Sequence, residues 1–287
     1  MATANDKQKT YWTEVAAPKW LSLEGAMEAR LAPVSDAVIE AAGLKPGERV
    51  LDIGCGAGRT SQEAARAVGE AGYVLGIDIA PPMLEAARAH AAVEAAAGMA
   101  PVEFALADAQ TKRFTPPFDV LISRFGVMFF EDPGAAFANL RASMRPGGRL
   151  VFAAWAPLSV NRHWEIPLRL VEALVGPGTP RVPHAPGPLA FDDPAYVQDI
   201  LSVAGWREVE VRAEPVFLRG ASLDDEARVA CFMGPAGALL DEKKADAATR
   251  AGANKAVSDA LPGFATVEPD GSVRLPATIH LVTASAP

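Results

Sequence analysis

A carboxylate beside a glycine-rich loop is the feature of this sequence that points most directly to chemistry. Asp52 lies inside the apolar run of residues 50–53, and Gly54, Gly56 and Gly58 follow at alternate positions. Glycine has no Cβ, so such a loop can turn sharply and bring its backbone close to a ligand. A carboxylate at this place would repel a pyrophosphate but suits a ligand with an ammonium group. The pattern therefore differs from the dinucleotide-binding loop, for which the spacing Gly-x-Gly-x-x-Gly is typical.

Two further carboxylates stand where predicted strands end. Residues 73–78 form a strand-like run that ends at Asp78, and residues 102–108 form another that ends at Asp108. Open α/β sheets bind ligands beyond the carboxyl ends of their strands, and an acidic group after the second strand can accept hydrogen bonds from both hydroxyls of a ribose. Three carboxylates in successive strand–helix units therefore predict one ligand site along this edge.

The elements that would position these residues alternate along the chain. Thr60 and Glu63 match a capping box that opens a helix ending near Gly69. Pro81 begins an Ala-rich helix toward Gly98, and Asp132 with Pro133 begins a helix that runs to about residue 144. The remaining strands are predicted at residues 118–124, 149–155, 208–213 and 278–285.

The stretch from Asp52 through the glycine loop resembles motif I of the class I S-adenosylmethionine-dependent methyltransferases. In that family, the acidic residue and the loop hold the methionine end of the cofactor, and a carboxylate after the third strand receives the adenine amino group. The resemblance implies S-adenosylmethionine as cofactor and S-adenosylhomocysteine as product. The cofactor-binding residues that it implies are Asp52, Gly54, Cys55, Gly56, Gly58, Thr60, Asp78, Ile79, Met83, Asp108, Ala109, Gln110 and Ser123.

The same resemblance implies an α/β fold with a Rossmann-like, seven-stranded sheet. The sheet is expected to be mostly parallel with an antiparallel last strand, with helices on both faces and helical cover segments. We expect residues 1–45 to form an N-terminal helical cover, with a helix at residues 33–42, and residues 46–287 to form the methyltransferase domain. Insertions are expected at about 157–190 and 222–265, the second as one or two surface helices without assigned chemistry.

The cover and the insertion after the fifth strand carry the candidates for an acceptor site. His163 can serve as a general base, although a surface or structural role is the simpler interpretation. Arg124 follows the fourth strand and can orient an anionic or carbonyl-bearing acceptor, or it can pair with Glu131 or Asp132. No catalytic residue is assigned. The candidate substrate-binding residues, which can equally anchor the cover, are Trp12, Trp20, Arg124, Trp155 and Trp164.

Composition narrows the classes of partner. The net charge of −8 and the lack of a dense basic run argue against nucleic acid. No apolar run reaches the length of about 18 residues that a membrane span needs, and the polar start lacks the core of a signal peptide. With only two cysteines, Cys55 and Cys231, the cytoplasm is the expected location. No metal site is expected, and the oligomeric state is left open.

We therefore expect methyl transfer to a small-molecule acceptor, apolar or aromatic, at a carbon, oxygen or nitrogen atom. Residues 123–130 and the turn at 146–148 resemble quinone C-methyltransferase-like and related small-molecule enzymes, although the N-terminal pattern of the quinone enzymes is missing. One alternative is a sensor or partner module that binds the cofactor without turnover. A less favoured alternative is an NAD-dependent oxidoreductase, which would need a Gly-x-Gly-x-x-Gly loop and a Tyr-Lys or His pair.

Overall fold

The apolar runs of the sequence form one sheet in the computed structural model, which describes residues 5–94 and 96–287. Its strands are β1 (Arg49–Ile53), β2 (Tyr73–Asp78), β3 (Val102–Leu106), β4 (Phe118–Arg124), β5 (Met144–Trp155), β6 (Arg207–Gly220), β7 (Thr266–Val267) and β8 (Val273–Ser285). Their spatial order is β3-β2-β1-β4-β5-β8-β6, and the two-residue β7 pairs with β8. Strands β1 to β5 are parallel, whereas β8 is antiparallel to both of its long neighbours. The predicted sheet is confirmed, with β7 as a short addition.

The helices surround this sheet. They are α1 (Asp6–Tyr11), α2 (Ala17–Ser22), α3 (Glu24–Ala42), α4 (Arg59–Val68), α5 (Pro81–Glu94), α6 (Pro133–Arg141), α7 (Arg162–Val175), α8 (Pro194–Val203), α9 (Leu223–Phe232), α10 (Gly234–Glu242) and α11 (Ala247–Ala260). A π-helical turn, Trp12–Ala16, joins α1 to α2. Within the described part of the chain, none of the helices combines the length and the apolar character needed to cross a membrane.

Helix α3 is longer than predicted. It begins at Glu24 and includes Pro33, where the sequence predicts its start. Proline lacks an N–H and usually ends or kinks a helix. Here, burial of one face of the helix in the main hydrophobic core outweighs that loss. The buried apolar residues of this face are Met27, Leu31, Val34 and Val38.

The prediction of one or two surface helices at residues 222–265 is wrong. This segment forms α9, α10 and α11, and all three pack against α7. Their buried residues, which include Val229, Leu240 and Val257, belong to the main core. Alanine-rich helices with scattered polar residues resemble exposed helices in sequence, because their docking partner lies far away in the chain.

The segment from α1 to α2 packs on a small apolar cluster of its own, and Trp20 also contacts the main core. Ala17 forms a small apolar cluster with Ala80 and Met83, against which Trp12 and Trp20 also pack. Ala80 and Met83 lie just after β2, at the edge of the sheet where the predicted ligand site is found. The segment therefore covers that edge.

Candidate functional site

The glycine loop lies where the sheet order changes direction. Strand β1 lies between β2 and β4, and ligands of open α/β sheets bind at such a switch point. Gly54 and Gly56 have φ angles of +64° and +55°, which residues other than glycine rarely adopt. A Cβ on Gly54 would lie 2.7 Å from the Cα of Gly126. The loop therefore needs glycine both for its conformation and for its contact with the segment after β4.

The start of α4 differs from the predicted capping box. Gly58, with φ +89°, is the N-cap, and Glu63 pairs with Arg59. The hydroxyls of Thr60 and Ser61 instead donate to Oδ2 of Asp52, at 2.7 and 2.6 Å. These two donors stabilise the buried carboxylate, because a buried polar group without partners is strongly unfavourable.

Asp52 is fully buried behind this helix start and does not line the cavity described below. Its Oδ1 atom has no hydrogen-bond partner among the described residues. Burial raises the pKa of Asp52 from 3.8 to about 6, because desolvation outweighs the two hydroxyl donors. The resemblance assigns this carboxylate to the cofactor amino group, but the structure shows it holding Thr60, which does line the cavity.

We expect Asp52→Asn to stabilise the ligand-free protein in a pH-dependent way. A carboxyl group whose pKa is raised by folding contributes stability below its unfolded pKa and loses it as the pH rises through about 6. The variant should therefore match the wild type at about pH 4 and exceed its unfolding free energy by roughly 2–3 kcal/mol at about pH 8. Urea unfolding at both pH values measures the difference. An equal difference at both would contradict the explanation.

Asp78 connects the two loops of the site. Its Oδ2 accepts a hydrogen bond from the Gly56 amide at 3.0 Å, and its Oδ1 accepts one from the Ala80 amide at 2.9 Å. Burial raises the pKa of this carboxyl group, and the two amides oppose the rise. Each carboxylate oxygen has a second acceptor position. Asp78 therefore orders the loops and retains capacity for ligand hydroxyls.

Asp108 is partly satisfied by the N-terminal segment. Its Oδ1 accepts hydrogen bonds from Asn5 Nδ2 at 2.8 Å and from the Gln110 amide at 2.9 Å. Its Oδ2 is buried without a hydrogen-bond partner in the described chain, although Lys9 Nζ lies 3.7 Å away. Asn5 also accepts a hydrogen bond from the Glu131 amide. The unpartnered oxygen can accept a hydrogen bond from an amino group of a ligand. The contact of Asn5 with Asp108 could not be predicted, because no sequence motif marks it.

These strand ends open into a cavity of about 500 Å³. This volume lies within the range of about 300–1,000 Å³ that is typical of small-molecule sites. The predicted cofactor residues that line it are Gly54, Cys55, Gly56, Thr60, Asp78, Ile79, Met83, Asp108 and Ala109. The other predicted site residues that line it are Trp12, Trp20, Arg124, Trp155, His163 and Trp164.

Four predicted cofactor residues, Asp52, Gly58, Gln110 and Ser123, do not line the cavity. Ser123 is fully buried, where its hydroxyl donates to the Ile53 carbonyl and accepts from the Gly126 amide. Gln110 accepts from the Asp132 amide through its side chain. A side chain that follows a strand end can thus bind the neighbouring loop instead of facing the crevice, which the sequence does not reveal.

The part of the cavity beyond β4 and β5 is aromatic, and we call it the acceptor half, formed by Phe125, Trp155, His163 and Trp164. The rings of Phe125 and Trp155 stack with centroids 4.4 Å apart and an interplanar angle of 11°. Trp164 lies 4.6 Å from Trp155. Phe125 has φ +68°, an uncommon conformation for a bulky residue that often marks functional sites. The backbone is thus held in a form in which this ring stacks on Trp155 in the cavity wall.

Arg124 lies on the cavity wall but is satisfied by α3. Its guanidinium pairs with both carboxylate oxygens of Glu28, at 2.9 and 2.7 Å, and donates to Ser35 at 3.0 Å. The expected pairing with Glu131 or Asp132 is therefore wrong. Asp132 instead caps α6. A planar guanidinium favours the bidentate carboxylate, and Glu28 becomes available because α3 extends further than predicted.

Several wall residues are not among the predicted site residues. Helix α3 contributes Met27, Arg30 and Leu31, and the region of α9 contributes Val229 and Met233. Arg30 forms a buried ion pair with Glu226 of α9. Burial lowers the pKa of Arg30 to about 10. The recurrence of apolar residues at helical spacing in α3 is the one signal that pointed to a buried face.

The comparisons with known proteins agree with this geometry. Residues 50–148 match a family model described as a methyltransferase domain. The nocamycin O-methyltransferase of Saccharothrix syringae is 34% identical over 201 residues, which cover 67% of this chain and 71% of that protein. The aklanonic acid methyltransferase of Streptomyces sp. strain C5 is 40% identical over 109 residues, which cover 38% of this chain and 48% of that protein.

The same fold occurs in a solved structure that contains the cofactor product. Magnesium protoporphyrin IX methyltransferase from Synechocystis PCC 6803, with bound S-adenosylhomocysteine, has a TM-score of 0.55 and 16% identity, covering 98% of this chain and 100% of that one. The relatives favour neither the binding module without turnover nor the NAD-dependent oxidoreductase. The chain therefore belongs to the class I S-adenosylmethionine-dependent methyltransferases and is an enzyme that uses this cofactor to methylate a small molecule.

Proposed function

We propose that the acceptor is an apolar, ring-bearing small molecule that binds in the acceptor half, while the cofactor binds along the ends of β1, β2 and β3. The stacked pair of Phe125 and Trp155, which lines the same cavity as the glycine loop, is the observation that carries this proposal. Flat aromatic walls favour stacking with a ring. The relatives that are named for nocamycin and aklanonic acid also support a small-molecule acceptor.

The donor fits the polar groups that the strand ends leave available. In this arrangement the methionine part lies at the Gly54–Gly56 loop and Thr60, and the ribose hydroxyls bind Asp78. The adenine amino group binds the unpartnered Oδ2 of Asp108. Ile79 and Met83 supply apolar contacts from the adjoining wall. Asp52 supports the site indirectly, through its hydrogen bond from Thr60.

The chemistry of this cofactor makes alignment the main task of the chain. When bound, S-adenosylmethionine supplies an electrophilic methyl group on its sulfonium. Positioning alone can lower a barrier by about 7–11 kcal/mol. Since the donor takes up the ends of β1 to β3, the space beyond β4 and β5 is left for the acceptor. The rigid aromatic wall there would hold it in line.

The charges on the wall favour a neutral acceptor. Three arginines line the cavity, and each is ion-paired: Arg30 with Glu226, Arg124 with Glu28, and Arg181 with Asp192. A guanidinium that already has a carboxylate partner attracts a further anion only weakly, because the pair is close to neutral overall. This pairing speaks against the use of Arg124 to orient an anionic acceptor.

The N-terminal segment would act as a cover. Residues 1–45 form the proposed cover and residues 46–287 the catalytic domain, with the described part of the cover adding Trp12 and Trp20 to the cavity wall. Cys55 and Cys231 are both buried and unpaired, which is typical of a reducing compartment and supports a cytoplasmic location. The net charge of −8 supports a small molecule, not nucleic acid, as the partner.

Trp164→Ala tests the acceptor site without removing a core residue. We expect the acceptor KM to rise by about tenfold or more, because a stacking surface and its apolar contact are lost. Trp164→Phe should restore most of the loss. The dissociation constant of S-adenosylhomocysteine, measured by calorimetry, should stay unchanged in both variants.

The acceptors for this test are quinols, phenols, amines and fatty acids of similar size. Phe217→Ala on β6, where the ring is exposed and remote from the cavity wall, is the matched control. Turnover of highly polar acceptors alone would contradict the proposal. Cofactor binding without turnover of any acceptor would instead favour the binding module.

A further inference from the structure

His163 is a buried histidine whose ring makes no well-formed hydrogen bond within the described chain. The side chain lies in the first turn of α7, is 2% exposed and lines the cavity. Neither Nδ1 nor Nε2 meets the geometry of a hydrogen bond to residues 5–94 and 96–287, although the Pro276 backbone lies near enough to act on the pKa of the ring. Buried polar side chains are nearly always satisfied, because an unmade hydrogen bond is unfavourable. With the Pro276 backbone beside one ring nitrogen, the other nitrogen of this ring at the cavity wall remains available to a partner that the protein itself does not supply.

The surroundings of His163 connect it to the place of methyl transfer. Its ring lies 5.4 Å from each of Trp155 and Trp164. Trp155 stacks on Phe125, and the next residue, Gly126, contacts the glycine loop. The chain of contacts therefore runs from the loop, through two aromatic rings, to the imidazole. His163 is the polar group of an otherwise aromatic acceptor half.

The imidazole is held in its neutral form. Burial and, secondly, the charge of Arg30 keep the pKa of His163 well below its ordinary value, and the Pro276 backbone opposes them only in part. A neutral imidazole has one nitrogen that donates a hydrogen bond and one that accepts. An acidic hydroxyl is the group on an apolar ring that most readily donates to such an acceptor and then gives up its proton.

We propose that the acceptor is a phenol or an enol and that His163 is the catalytic residue that receives the hydroxyl proton during O-methylation. This inference rests on the proposed function and names the acceptor group. As the acceptor oxygen forms its bond with the methyl carbon, the carbon–sulfur bond breaks and its electron pair stays on sulfur. The hydroxyl proton passes to the unprotonated nitrogen of His163, and solvent receives it when the products leave.

The test compares acceptors that need a base with acceptors that do not. At mildly alkaline pH, para-nitrophenol is largely ionised, whereas para-ethylphenol remains neutral. For His163→Gln, we expect kcat/KM with para-ethylphenol to fall by about 10²–10⁴-fold, the usual contribution of a general base. With para-nitrophenol it should fall only a few-fold. A purely structural histidine would lower both values equally.

Two measurements do not depend on turnover. In the complex with S-adenosylhomocysteine, His163→Gln should weaken para-ethylphenol binding by several-fold in calorimetry, while S-adenosylhomocysteine itself binds as before. His163→Leu should unfold at an equal or higher temperature than the wild type without ligands, because it removes an unsatisfied polar group. The matched control is His280→Gln, since His280 is also buried but has Phe191 O as a partner and does not line the cavity.

The outcomes separate this inference from the proposed function. Equal losses for both phenols, full activity of His163→Gln, or a C-methylated product would overturn the role of His163 and leave apolar ring binding intact. If the wild type methylates no ring-bearing acceptor, the proposed function itself fails. A selective loss with para-ethylphenol, together with weakened binding, supports the inference.

Discussion

Replacing Gly54 by alanine is expected to weaken binding of S-adenosylhomocysteine by at least about 100-fold. The residue has φ +64°, and a Cβ there would lie 2.7 Å from the Cα of Gly126. Backbone atoms cannot rotate away as the end of a flexible side chain can, so both loops would have to shift. A shift of the loop would lose or lengthen its hydrogen bonds to the ligand, and hydrogen bonds to charged groups contribute about 1.5–3 kcal/mol each, which corresponds to a loss of this size. Calorimetry with S-adenosylhomocysteine measures the effect.

A matched glycine is available in α3. Gly25 has nothing within 4 Å of its Cβ position, so Gly25→Ala should bind the ligand normally and unfold at the same or a higher temperature. Circular dichroism shows whether each variant is folded. A folded Gly54→Ala protein with normal affinity would mean that the loop does not hold the donor.

Asp78→Asn is expected to lower the affinity for S-adenosylhomocysteine by about 100-fold. Its two oxygens accept hydrogen bonds from the amides of Gly56 and Ala80. An asparagine would turn an NH₂ group toward one of these amides, which disorders a loop, and would also lose a charged acceptor for the ribose. Hydrogen bonds to charged groups contribute about 1.5–3 kcal/mol each, which accounts for a loss of this size.

Two controls make the role of Asp78 specific. Asp119 lies near the start of β4, at the end of the strands away from the cavity, and accepts a hydrogen bond from the Arg49 amide at 2.8 Å. Asp119→Asn should therefore leave the ligand affinity unchanged. Removal of the ribose 2′-hydroxyl from S-adenosylhomocysteine should weaken binding to the wild type more than to Asp78→Asn, because the two changes remove the same interaction. Strictly additive losses would argue that Asp78 contacts another part of the ligand.

The parallel half of the sheet was predictable from local sequence. Strands β2 and β4 have the predicted limits, because each is an apolar run with clear breaks at both ends. Apolar runs predict the limits of a strand less well where the neighbouring strand lies far away in the sequence. Strands β6 and β8 extend beyond residues 208–213 and 278–285 because they pair with each other as far as Gly220 and Val273. That pairing depends on long-range register, which local patterns do not contain.

The cavity residues at the strand ends were easier to predict than those that the packed helices contribute. The glycine loop, Asp78 and Asp108 are tied to strand ends, so a motif and its context identify them. Arg30 and Met233 reach the same cavity only because α3 docks on the sheet and α9 and α10, which Met233 joins, dock on α7. The pairing of Arg124 with Glu28 has the same origin. Contacts of this kind follow from tertiary packing, and a single sequence does not encode them in a readable pattern.

Strand β8 leaves the ribosome after every other strand of the sheet, yet it lies between β5 and β6. Within the described chain, β6 pairs with β8 alone, so it emerges long before its partner is made. The five parallel strands can assemble from nearer contacts during synthesis, whereas the other half must wait. Throughout that interval β5 and β6 present unpaired edges, which are templates for aggregation. Translation pauses upstream of residue 273 would therefore prolong the most vulnerable state of the nascent chain.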